Sequence, residues 1–330
     1  PPLYTHPATT EIYTLTHSSA ASDVYKRQGR RWWSYRGPTF NRSWVQVYTL
    51  LACTDKIRRN LPQRSVGESM SQFAKDTRVE QVGDDLWRGE LCRGWRIGAV
   101  PNGGYVLAIA GRVLSEALPH RDPLAVNAFY LSPTDLGPVE CRVELLRAGR
   151  NTSHAAVRMY QQGELRVQVT AAYTDLDALS GETWSGAPRP EFPGWDDCLP
   201  SGQKKLEFRE RVDIRLATGA EVFTRREPDG SGQFLGWVRH ADGADPDPIS
   251  LLMFADAFPP PAFTLFGPLH WVPTVELTVQ VRARPAAGPL QARLFSRHLT
   301  RGVIEEDGEY WDSTGQLVAI SRQTAKIRVH

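Results

Sequence analysis

The chain has 330 residues, of which 41% are hydrophobic and 23% charged, with four cysteines and a formal net charge of +2. These values are ordinary for a globular protein and exclude a disordered chain, a collagen-like repeat and a disulfide scaffold. The length accommodates two domains, and so small a net charge makes no case for a nucleic-acid partner.

The charge is unevenly spread. The first 69 residues hold ten Lys and Arg against four acids, a net of +6, which leaves the remainder at −4. Residues 18–28 read SSAASDVYKRQ, which looks like the codon-for-codon translation of a transposase sequencing adapter. Residues 8–14, ATTEIYT, resemble the flow-cell adapter that precedes it. The first methionine is Met70. The expectation is that residues 1–69 are a non-native leader, adapter read-through followed by untranslated upstream sequence, ahead of a metagenomic reading frame that begins at Met70. Segments of this kind are set aside in reading a fold. A competing reading, an export signal ending in LLAC at 50–53, has its apolar run broken by Gln46 and Tyr48. No stretch approaches the ~18 apolar residues of a membrane span. Cys92, Cys141 and Cys198 stand singly, which fits a reducing cytoplasm. The expected protein is therefore cytoplasmic, without membrane insertion.

The first expected domain covers residues 70–182. A helix rich in small residues runs from Gly103 to Leu118 and stops before Pro119; its Gly and Ala positions (Ala108, Ala110, Gly111) suggest room or a close neighbour beside it. Alternating apolar and polar residues then predict strands at 125–131, 139–146, 155–160 and 165–173. A stretch at 174–205, rich in Pro, Gly and Asp and without periodicity, reads as a connection, with the linker placed at 183–205. The second domain, 206–330, is expected to hold a strand at 208–216, a helix at 249–258 and strands at 274–283, 290–295, 309–311 and 317–329. Short motifs recur in order: Gly137-Pro138-Val139 parallels Gly288-Pro289-Leu290 at an offset of 151, and Gly163-Glu164-Leu165 parallels Gly315-Gln316-Leu317 at 152. The fold class is thus α+β, one helix wrapped by an antiparallel sheet, used twice.

The chemistry is read by elimination. There is no GxSxG, HExxH, Walker A or CxxC, and the histidines share no metal spacing. In ISLLMFADAF, residues 249–258, the only polar residues are Ser250 and Asp256. A helix apolar on nearly all sides is a buried one, and a carboxylate there is costly unless it is hydrogen-bonded or used. The alternative is an Asp frayed into solvent before Pro259-Pro260-Pro261. In the last strand, Gln323 shares a face with Leu317, Ala319, Ala325 and Ile327, by two-residue alternation. The repeat places Ala171 at the corresponding position of the first half, as expected if one copy kept a site. The alternative is a Gln satisfied structurally inside a core.

Several segments carry a resemblance: PNGGYVLAIAGRVL (101–114), FYLSPTDLGPVECRVELLRAGRNTSHAAVRM (129–159), FLGWVRHADG (234–243), FADAFPPPAF (254–263), VPTVELTVQVRARP (272–285) and GEYWDSTGQLVAISRQTA (308–325). Together they resemble the acyl-CoA thioesterase II family, whose members have a tandem double hotdog fold. The resemblance implies hydrolysis of acyl-CoA, with an Asp, a Ser or Thr and a Gln jointly holding a water. These fall on Asp256, Thr274 and Gln323. Strand parity groups Thr274 with Glu276, Thr278 and Gln280, on the face away from Leu277, so a bulge near Pro273 or a site on the polar side is needed. Asn102, Gly103 and Gly104, opening the first helix, are placed as backbone donors to the oxyanion, or as glycines that only permit close packing. Arg150, with Arg147, Arg301 and Arg322, is a candidate for the CoA phosphates. No metal and no cofactor beyond the substrate's own CoA is expected. The partners expected are the acyl-CoA and, by resemblance, further copies of the chain in a homo-oligomer. The competing function is a non-catalytic acyl-CoA or acyl-chain binding module. A hydratase of the same fold class would want a His five residues after the Asp, where this chain has Pro261.

Overall fold

A computed structural model describes residues 70–201, 206–268 and 272–327. The leader expected at 1–69 lies outside the described residues.

Asn102 caps the first helix, α1 (Gly103–Ala117): its side chain accepts a hydrogen bond from the Tyr105 N–H, and the helix ends at Leu118 before a proline. Around α1 lie β1 (Leu86–Leu91), β2 (Asp122–Tyr130), β3 (Gly137–Ala148), β4 (Thr152–Gln161) and β5 (Glu164–Thr174). The order across the sheet is β1-β3-β4-β5-β2, all antiparallel. Alternation does the work the sequence assigns to it: Val167, Val169, Ala171 and Tyr173 of β5 are buried, and α1 is buried along most of its length.

The second half repeats this plan with β6 (Val212–Leu216), β7 (Gln233–His240), α2 (Pro248–Phe254), β8 (Thr274–Val281), β9 (Leu290–Phe295), β10 (Val303–Trp311) and β11 (Leu317–Lys326). Its order is β8-β11-β10-β9-β7-β6. The halves join where β2 pairs with β8, so that Val126, Asn127 and Ala128 face Val279, Thr278 and Leu277, and one 14-stranded sheet runs through both.

Three elements depart from expectation. The strand expected at 208–216 begins only at Val212, because Glu207–Glu210 forms a 3-10 turn. The strand expected at 309–311 is the end of the longer β10. The helix expected at 249–258 stops at Phe254, and the chain turns through Ala255, Asp256 and Ala257 before the prolines. Two strands, β1 and β7, carry a glycine on their inward face, Gly89 and Gly236, which interrupts the apolar alternation. Gly89 does so for contact: a Cβ there would lie 3.1 Å from the Ile109 Cγ2 of α1.

The two helices pack antiparallel. A Cβ on Gly104 would come within 2.5 Å of the Met253 carbonyl oxygen, and one on Gly111 within 2.6 Å of the Leu252 Cδ1. At the other end Arg112 forms an ion pair with Asp247, the α2 N-cap, at 3.1 Å. The small residues Gly104 and Gly111 of α1 therefore admit a neighbouring helix, and Ala108 and Ala110 are fully buried.

Candidate active site

The antiparallel packing carries the C-terminal turn of α2 to the N-terminus of α1, and this places Asp256. Its Oδ2 accepts hydrogen bonds from the Gly104 N–H at 2.9 Å and from Asn102 Nδ2 at 2.9 Å. Asn102, only 3% exposed, also donates through Nδ2 to the Asp256 carbonyl at 2.7 Å. Asp256 is thus neither inside a helix nor frayed into solvent; it is a carboxylate seated on the positive end of another helix. Burial pushes its pKa up to about 6, while the N–H groups of Gly104 and Gly103 and the Asn102 amide hold it lower than burial alone would. The Gly104 and Asn102 bonds both end on Oδ2, and no bond to Oδ1 is present among the described residues.

The sheet supplies the facing wall. Gln323, 3% exposed, lies on the inward face of β11 between Leu277 of β8 and Glu306 of β10. The Thr274 hydroxyl donates to its Oε1 at 3.2 Å. The bulge that simple alternation required is present: Thr274 pairs with Ala325 but Glu276 pairs with Thr324, so Val275 is an extra residue and Thr274 turns to the inward face. With Oε1 engaged, Nε2 is the amide group of Gln323 left for a ligand. Tyr130 closes a further side, its hydroxyl donating to the Gly103 carbonyl at 2.8 Å, and burial beside the Asp256 charge raises the phenol well above its usual value.

Asp256, Asn102, Gly103 and Gly104 are thus in direct contact, and Thr274 and Gln323 are bonded to each other on the same interior face. Gly104, expected as an oxyanion donor, spends its N–H on the Asp256 carboxylate, so the helix terminus acts on the acid. Arg150 is not brought here. It is exposed in the β3–β4 hairpin, its carbonyl bonded to His120 just past the C-terminal end of α1; a helix of 15 residues separates the two ends by about 22 Å. Arg322 points to the outer face, where it pairs with Asp307. Among the described residues no group of three or more His, Cys, Asp and Glu could hold a metal.

Two residues of the site were not anticipated, Tyr130 and Glu306. The inward positions of β2 would have suggested Tyr130. The internal repeat would have found Glu306, since Ala155 plus the offset of 151 falls on it.

A helix-wrapping antiparallel sheet used twice, with one acid–amide site between the halves' helices, is the double hotdog architecture. Family models for the acyl-CoA thioesterase N-terminal and C-terminal domains match residues 92–174 and 184–327, and the chain belongs to the acyl-CoA thioesterase family. A candidate thioesterase II from Thermobifida fusca is 29% identical and superimposes with a TM-score of 0.73 over 79% of this chain and 99% of its own. A hot dog fold protein of unknown function from Alicyclobacillus acidocaldarius shares the fold at 20% identity, with a TM-score of 0.72 over 79% of this chain and all of its own length. The thioesterase-like protein TwmA of Talaromyces wortmannii is 25% identical, over 79% of this chain and 93% of its own.

Proposed function

We propose that the protein hydrolyses an acyl-CoA thioester to the free acid and CoA by direct attack of water, with no covalent intermediate and no cofactor. The observation that carries this is the Asp256 carboxylate, fixed through Oδ2 at a helix N-terminus, whose charge reaches Glu306, the ladder neighbour of a Gln323 bonded to Thr274. Ionised Asp256 takes a proton through Oδ1 from a water that Thr274 and Gln323 hold, and the water oxygen attacks the thioester carbonyl. The reaction needs no nucleophilic Ser or Cys, which agrees with a site whose polar side chains are Asp256, Glu306, Thr274, Tyr130, Asn102 and Gln323. Purified full-length protein should release free thiol from a panel of acyl-CoA thioesters; saturable binding without thiol release would instead make it a binding module.

The Gln323 amide both fixes Thr274 and keeps a donor for the water. Gln323→Ala should lower kcat by about 10²-fold, the usual cost of one oriented donor, with no change in the far-ultraviolet circular dichroism. An unchanged kcat would remove Gln323 from the reaction.

The base must be ionised. With Asp256 near 6, kcat/KM should fall about tenfold per pH unit below that value and level off above it. A profile flat from pH 4.5 to 7 would contradict the assignment of Asp256 as the base.

A further inference from the structure

On β10 the inward residues are Ile304, Glu306, Gly308 and Tyr310. Glu306 is a carboxyl in that interior, 7% exposed, directly beside Gln323 in the ladder. Among the described residues it makes no hydrogen bond or ion pair. The other buried acids of the sheet are satisfied: Asp122 by Arg284 and the Leu176 N–H, and Asp312 by Thr314 and the backbone of Ala286 and Gln316. The Glu306 carboxyl oxygens have no partner among the described residues and yet are not sealed from solvent, so they stand open to water or a ligand.

The internal repeat sharpens the point. Gln323 sits in a row Leu277–Gln323–Glu306, and the corresponding row of the first half is Val126–Ala171–Ala155. Two methyl groups in one copy become an amide and a carboxyl in the other, and the amide is already part of the site. Glu306 lies between that amide and an apolar cluster of Ala262, Ile304, Ala325 and Ile327. The titratable groups around it are Asp256 from the α2 turn, with Asp307 and Tyr310 on its own strand. Asp307 is turned outward to Arg322, and the inward residues of β11, Gln323 and Ala325, carry no charge. No cation faces Glu306 among the described residues, and burial with the charge of Asp256 raises its pKa well above the carboxylate range.

We propose that Glu306 is the acid of this site: it holds a proton while Asp256 is ionised and delivers that proton to the sulfur of the departing CoA. The step rests on the hydrolase reading above. The water O–H bond breaks and its proton goes to Asp256 Oδ1 as the water oxygen bonds to the carbonyl carbon. The carbonyl electron pair moves to oxygen and returns as the C–S bond breaks, leaving a pair on sulfur. The Glu306 O–H proton joins that pair to give the thiol. Transfer of the Asp256 proton to the Glu306 carboxylate restores both groups, for a net consumption of one water and one thioester.

The test compares acyl-CoA with the same acyl group on 4-nitrothiophenol, whose thiolate departs without a proton. Glu306→Gln should lower kcat/KM on acyl-CoA by about 10²-fold and on the nitrothiophenyl ester by less than about threefold. A protonated acid adds an alkaline limb beyond the plateau set by Asp256, so the wild-type rate should fall again at high pH; Glu306→Gln should remove that second fall, and Glu306→Asp should recover part of the loss. Equal losses on the two substrates, or no loss on acyl-CoA, would overturn the proposal. A fold defect is separated by the nitrothiophenyl ester, which an unfolded variant could not process. A wild type that releases thiol from neither substrate overturns the hydrolase reading itself, and this step with it; a wild type active on both, with Glu306→Gln unaffected, overturns only the role of Glu306.

Discussion

Asp256→Asn is expected to lower kcat by about 10²–10⁴-fold, the range of general-base catalysis, and at the same time to stabilise the protein above pH 6. Asn keeps an oxygen that accepts from the Gly104 N–H and from Asn102, so the α2 turn stays docked on α1. What it lacks is the basic lone pair. The stability gain follows from linkage. Folding raises the Asp256 pKa from 3.8 to about 6, so the folded state binds this proton more tightly than the unfolded chain does. The contribution of that proton is full below pH 3.8 and is lost as pH rises through 6. A neutral Asn does not suffer the loss. At pH 8 the variant should be more stable by on the order of 3 kcal/mol, reckoned at about 1.4 kcal/mol per unit, and at pH 3.5 the two proteins should melt alike. Thermal unfolding at the two pH values, read beside thiol release, checks both halves. An inactive variant destabilised at pH 8 would mean that Asp256 is structural.

Gly104→Ala should damage both folding and catalysis. The added Cβ would stand 2.5 Å from the Met253 carbonyl oxygen and 2.9 Å from the Asp256 Cβ. The first contact is with backbone, so the two helices must separate. Overpacking of this kind costs about 1–3 kcal/mol. The same movement stretches the bond from the Gly104 N–H to Asp256, and displacement of a catalytic group by about 1 Å costs on the order of 10² in rate. Gly103→Ala is the comparison, because its Cβ would meet side-chain atoms only, Asp256 Oδ2 at 3.0 Å and the Tyr130 ring at 3.2 Å. It should lose less stability than Gly104→Ala. Wild-type melting temperature and kcat/KM in Gly104→Ala would show that the close helix approach does not position the acid.

Most of the architecture was open to inspection of the sequence, because β2 to β5, β9 and β11 alternate cleanly and α1 begins at a capping Asn and ends before a Pro. The strands that escaped, β1 and β7, escaped for one reason: a glycine on the inward face removes the apolar mark while serving a close contact. Within the site, Asp256 and Gln323 stood out as polar residues in apolar surroundings. Thr274 was named by family resemblance against its own strand parity, and the extra residue at Val275 that reverses the parity is a matter of pairing with β11. Glu306 sits in Glu305-Glu306-Asp307, where the flanking pairs Val303-Ile304 and Tyr310-Trp311 allow either parity, and only the repeat through Ala155 picks it out. The grip of Gly104 on Asp256 joins residues 152 positions apart; no local pattern announces it, and it turns a helix terminus expected to serve the oxyanion onto the Asp256 carboxylate.

Single-turnover hydrolysis of an acyl-CoA in H₂¹⁸O tests the central claim, attack by a water held on Asp256, most directly. Enzyme in excess should give, in the first turnover, a free acid that carries one atom of the heavy isotope, with none in Asp256. A first-turnover acid without the label, accompanied by labelled Asp256, would show that the carboxylate itself attacks the thioester and would contradict the account.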